Sequence, residues 1–95
     1  MILLEILSDI HAINNALAEF EVRYGILSDT LFAWYQQGNE PEDDAWVLDF
    51  AEWAGWYKSR QRLLALYNQR LAELLASGDG DINHIVRQTR QAASA

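Results

Sequence analysis

The sequence predicts an all-α fold: a helical hairpin of long, coiled-coil-like helices with a short elbow helix, forming a helical bundle by dimerisation. Three observations predict it. Apolar residues recur at alternating steps of three and four through both halves of the 95-residue chain. The single proline lies between those halves, at Pro41. Four Trp, four Tyr and three Phe within a 51% hydrophobic composition supply more core material than a disordered chain carries. One domain spanning residues 1–95 is expected.

The first stripe runs Leu3, Ile6, Ile10, Ile13, Leu17, Phe20 and Tyr24. It predicts a helix over residues 2–24, with Gly25 free to take the left-handed conformation that ends it. Asn14 and Asn15 fall off the stripe and leave it unbroken. Ser28 reads as the N-cap of a second helix, residues 28–37, with Asp29 favourable to the helix dipole. Leu31, Phe32 and Tyr35 form its buried face, and Gly38 closes it. The segment NEPEDD, residues 39–44, holds the proline and four acids, and so reads as a linker that brings negative charge to a helix N-terminus.

A third stripe then runs Trp46, Phe50, Trp53, Tyr57, Arg60, Leu64, Tyr67, Leu71 and Leu74, predicting a helix over residues 44–76. At 1.5 Å per residue a helix of about 30 residues is roughly 45 Å long. It outruns the first helix by about ten residues, so the first cannot cover it alone. A chain of this size buries only roughly 60–65% of its unfolded surface. A second copy is therefore expected to pair along a seam of Leu3, Ile6, Ile10, Ile13 and Leu17 with Phe50, Tyr57, Arg60, Leu64, Tyr67 and Leu71. Ser77 and Gly78 stop the long helix. A weak helix over residues 82–91 follows, with Ile82, Ile85 and Val86 as its apolar positions, and then a frayed tail over 92–95.

Net charge is −7, unevenly spread. Residues 1–56 carry eleven acids and the single base Arg23, whereas residues 57–95 carry six bases and three acids. The acidic front repels phosphate backbones and steers basic partners, which disfavours nucleic acid as the main ligand. With no Cys there is no disulfide framework and no thiol nucleophile, as suits a cytoplasmic location. MILLEILSDIH has no basic leader, Glu5 interrupts its apolar run, and no stretch approaches the roughly 20 residues needed to span a bilayer. No membrane association is expected.

Motifs that would carry chemistry are incomplete. In DGDIN, Asp79, Asp81 and Asn83 stand at calcium-loop positions, but His84 takes the place of the required Gly and Arg90 that of the closing Glu. His11 and His84 have no histidine at helical spacing to share a metal. The pairs Asp43–Asp44 and Asp49–Glu52 lack a Lys or His to work with and read as solvated helix-terminal charge. No Glu-x-x-His pair is present for a di-metal bundle. No catalytic residue, metal or cofactor is therefore assigned, and the chain reads as non-enzymatic.

Arg60 interrupts the apolar stripe, which calls for snorkelling to the edge, for an acid such as Glu19 or Glu21 on a neighbouring helix, or for a role in fixing the dimer register. Ala51 and Gly55 form a small step beside Trp53 and Trp56. Gly inside a helix costs about 1 kcal/mol relative to Ala, so a close approach is expected there. The aromatic concentration between Trp34 and Tyr57 is the main functional clue. Trp34, Tyr35, Trp53 and Trp56, with Glu40, Glu42, Asp43 and Asp44, form the expected partner-binding set, since exposed aromatics rimmed by acids suit a basic or mixed-charge protein. The alternative is that the aromatics are core.

Phe20-Glu21, Tyr24-Gly25, Ser28 and Phe32, then an acidic linker, then Trp53 and Tyr57, give the pattern F-E-x-x-Y-G-x-x-S-x-x-x-F over roughly residues 17–57. It resembles a class of small bacterial helical proteins, encoded beside a toxin gene and regarded as antitoxin-like. The resemblance implies neutralisation of a partner protein in the cytoplasm. The chain departs from many antitoxins in having no evident DNA-binding module. The leading expectation is thus a protein–protein interaction module, an antitoxin-like inhibitor in its concrete form. The alternative is a structural homo-oligomeric scaffold with no inhibitory target.

Overall fold

The computed structural model describes residues 2–77 and 81–93, the last three by their backbone alone. Its elements are α1 (Leu3–Tyr24), α2 (Ser28–Gln36), a 3-10 turn (Asp44–Trp46), α3 (Val47–Ser77) and α4 (Ile82–Ala93). No strand occurs among the described residues, and the all-α expectation holds. The expected helix stop at Gly78, Asp79 of the DGDIN loop and the last two tail residues lie outside the described residues.

Helix α1 ends where the sequence requires. Gly25 takes φ +78°, and its N–H donates to the Glu21 carbonyl at 2.8 Å. A side chain at that φ would be strained, so glycine serves here by its backbone freedom. The start of α2 differs from expectation: its N-cap is Leu27, and the Ser28 hydroxyl makes no capping bond because it is engaged elsewhere. The start of the long helix differs too. Asp43 Oδ1 accepts from the Ala45 N–H at 2.9 Å and caps the 3-10 turn, which moves the first α-helical residue to Val47.

Helices α1 and α3 run antiparallel: Tyr24 lies against Phe50, and ten residues earlier on α1 Asn14 Oδ1 accepts from Arg60, ten residues later on α3, at 3.2 Å. Helix α2 lies across one face of this hairpin near the Tyr24 end. Ile13, Leu17, Phe20, Leu31, Phe50 and Trp53 form the core cluster. Ile6, Ile10, Ile13, Leu17 and Phe50, expected along a seam between copies, are therefore buried inside the chain itself. The folding back of α1 against α3 covers the stripe that a second copy was expected to cover. Leu3, Tyr57, Tyr67 and Leu71 are half-buried, and Leu64 is 41% exposed.

Below α2 the hairpin face is open. Asn14 and Arg60 mark the edge of α2's coverage; one heptad before Asn14 stands Leu7, 37% exposed, and one turn beyond Arg60 stands Leu64. The molecule measures 53 × 26 × 19 Å with a radius of gyration of 17.2 Å. A compact domain of this length would have about 12 Å.

Candidate functional site

Three helices meet at one hydrogen-bonded knot. Trp53, wholly inaccessible, donates its indole N–H to Ser28 Oγ at 2.8 Å. Ser28 in turn donates its hydroxyl and its backbone N–H to Glu21 Oε2, at 2.7 and 2.9 Å. One carboxylate oxygen on α1 thus satisfies the first N–H of α2, and the Ser28 hydroxyl satisfies the largest buried side chain of α3. Around the knot, Trp53 stacks on Phe20 at 5.5 Å and on Tyr24 at 5.7 Å, and Phe32 stacks on Tyr57 at 4.5 Å. Every residue of the F-E-x-x-Y-G-x-x-S-x-x-x-F pattern therefore serves the elbow, as a ring, a bond or the turn glycine.

Asp49 ties the end of α1 to the start of α3. Its Oδ2 accepts from the Tyr24 hydroxyl at 2.6 Å and from Arg23 at 2.9 Å. The Tyr24 hydrogen bond, then Arg23, hold the Asp49 carboxyl below its usual range, and the same bond raises Tyr24. Arg60 was expected to meet Glu19 or Glu21. It meets Asp29 instead, at 3.2 Å, with its guanidinium 5.0 Å from the Tyr57 ring centre, because it lies level with Asn14 on α1, two turns away from Glu21, which bonds Ser28.

The knot braces a groove between α2, the linker and the start of α3. Phe50 forms its floor; Trp34 meets Phe50 edge-on at 86° and 6.0 Å, while Trp46 lies nearly parallel to it at 19° and 6.1 Å. The two indoles thus make a corner, each partly exposed, at 36% and 37%. Glu40 and Glu42 stand on the lining, with Pro41 between them, and no Lys, Arg or His joins them there. The groove encloses about 390 Å³, within the range of small-ligand sites.

The expected partner-binding set is thereby divided. Trp34, Glu40 and Glu42 come together at the groove. Trp53 does not belong to any surface, because its ring and N–H are both consumed by the core. Tyr35 packs half-buried against the core cluster, and Asp43 and Asp44 stay exposed at the cap and first residue of the 3-10 turn. Trp56 lies apart, in a shallow groove between α1 and α3 with Asp9, Ile13, Arg62 and Leu66. Gly55 faces open space: among the described residues nothing lies within 4 Å of where its Cβ would stand, so none makes the close approach expected there. Trp46, a member of the α3 stripe and of the aromatic concentration but outside the expected partner-binding set, forms a wall of the groove. Its place two residues after the acidic linker is the sequence signal for it.

Among the described residues no three His, Cys, Asp or Glu side chains gather as a metal site would require, and no helix is long and apolar enough to cross a membrane. Compared with protein-family models, characterised proteins and solved structures, the chain matches none.

Proposed function

We propose that this chain is a non-enzymatic protein-interaction module that pairs with a second copy of itself. It turns its acid-rimmed aromatic end toward a basic or mixed-charge protein in the cytoplasm, as an antitoxin-like inhibitor would. The observation that carries this reading is surface area. The chain exposes 6657 Å². A folded monomer of its mass exposes about 5,600 Å², so roughly 1,000 Å² is in excess, comparable with the roughly 800 Å² that each partner contributes to a standard interface. Leu7 and Leu64 lie on the open face below α2, where a second hairpin would complete a bundle. The groove lies at the Tyr24 end, where α2 covers the hairpin, so both surfaces can be used at once.

The second reading, a homo-oligomeric scaffold, draws on the same open apolar face and assigns no partner to the groove. Native mass spectrometry of the protein isolated at its natural level from its own cells separates the two. A stoichiometric second protein beside the paired chain is the expected result. A mass of twice the chain alone would replace the inhibitor reading with the scaffold.

A further inference from the structure

We infer that the groove formed by Trp34, Trp46 and Phe50 is a receptor for an arginine side chain presented by the partner protein. This rests on the interaction-module reading and names the chemistry of its recognition site. Two independent features of the groove converge on a planar cation. The first is ring geometry. Trp46 and Phe50 lie within 19° of parallel, and Trp34 stands at 86° to Phe50, so the corner offers the partly exposed faces and edges of two indoles. Tryptophan is the strongest cation-attracting ring, and a guanidinium gains both by stacking on it and by the attraction of its charge to the ring quadrupole. The second is charge. Glu40 and Glu42 are the ionisable groups on the lining, both acidic, with no cation among the lining residues to neutralise them. A guanidinium lying on an indole keeps its N–H fork in its own plane, parallel to the ring, free to donate to a carboxylate at the rim.

The other grooves lack this combination. The one beside Trp56 holds Asp9 and Arg62, which already oppose each other in charge, and the one at the far end of the hairpin holds Arg70 and Glu73, joined at 3.1 Å. Asp49, another acid at this end, is occupied by Arg23 and Tyr24. Among the described residues Glu40 and Glu42 make no ion pair, and they are the acids that line the groove. Arginine is favoured over lysine because each wall of the corner is a flat aromatic ring on which a planar guanidinium stacks, whereas an ammonium is a compact and strongly hydrated point charge.

The test is a titration of the ¹⁵N-labelled full chain with N-acetyl-L-arginine methylamide, followed through the four indole N–H resonances. Its neutral isostere, N-acetyl-L-citrulline methylamide, serves as control. The expected result is saturable movement of the Trp34 and Trp46 signals, with a dissociation constant on the order of millimolar, and little movement of Trp53 or Trp56. Glu40→Gln with Glu42→Gln, both exposed, should weaken binding about three- to tenfold while leaving the helical spectrum unchanged. Equal response to the citrulline compound, or no saturation with arginine, would overturn the inference. So would movement of the Trp34 and Trp46 signals on concentrating the protein alone, which would make a second copy the occupant. If the double variant, with Trp34→Ala added, still retains its natural partner at full stoichiometry, the groove inference fails while the module reading stands. Absence of any partner from the wild type removes both.

Discussion

Ser28→Ala removes one oxygen and disturbs three helices. The Trp53 indole N–H, fully inaccessible, loses its only acceptor in the knot. An orphaned buried donor costs about 1–3 kcal/mol. The hydroxyl also donates to Glu21, a bond to a charged group of about 1.5–3 kcal/mol. Glu21 is only half-buried and keeps the Ser28 backbone N–H, so the lower end applies to that part. Together the loss comes to about 3 kcal/mol, or a fall in Tm of about 12–24 °C for a domain of this size. Urea denaturation followed by circular dichroism, at one fixed protein concentration, measures it. In a Trp53→Phe background there is no indole donor to orphan, so the added cost of Ser28→Ala should fall by about half or more. A cost below about 1 kcal/mol, or the same cost in both backgrounds, would refute the knot as the bond that fixes the elbow.

Asp49→Asn should lower Tm at neutral pH, by an amount that shrinks in acid. The wild-type carboxyl titrates below its unfolded value, so its stabilisation is fully present above about pH 4 and is lost as pH falls through the lower folded value. A Tm difference equally large at about pH 7 and about pH 2.5 would contradict this. Gly55→Ala should raise stability by about 0.5–1 kcal/mol in the purified protein, since the helix gains propensity and the added methyl meets nothing. A loss of stability would mean that a second molecule packs against this position.

Much of the fold was legible because periodicity reports which face of a helix is apolar. The stripes of α1 and α3, the glycine at 25 and the acidic linker needed no further information. Periodicity does not report what covers that face. Ile6, Ile10, Ile13 and Leu17 satisfy a seam equally well with α3 of their own chain or with another copy, and the short path through α2 decides for their own. The knot was hidden for a related reason. A serine before a helix reads as a cap, and its diversion to Trp53 depends on a residue 25 positions away. The groove was half legible: Trp34, Glu40 and Glu42 stood out by composition. Its other wall, Trp46, keeps its place on the α3 stripe beside Phe50, and what makes it a groove wall is where α2 and the linker lie, which periodicity does not report.

Sedimentation equilibrium of the purified full chain tests most directly whether the face below α2 is an interface. At tens of micromolar the wild type should sediment at twice the 10.9 kDa chain mass, and Leu64→Glu, which places a charge on the open face, should sediment at the chain mass with its helical spectrum intact. A wild type that sediments at 10.9 kDa throughout would contradict the account, because the exposed leucines would then need no partner copy.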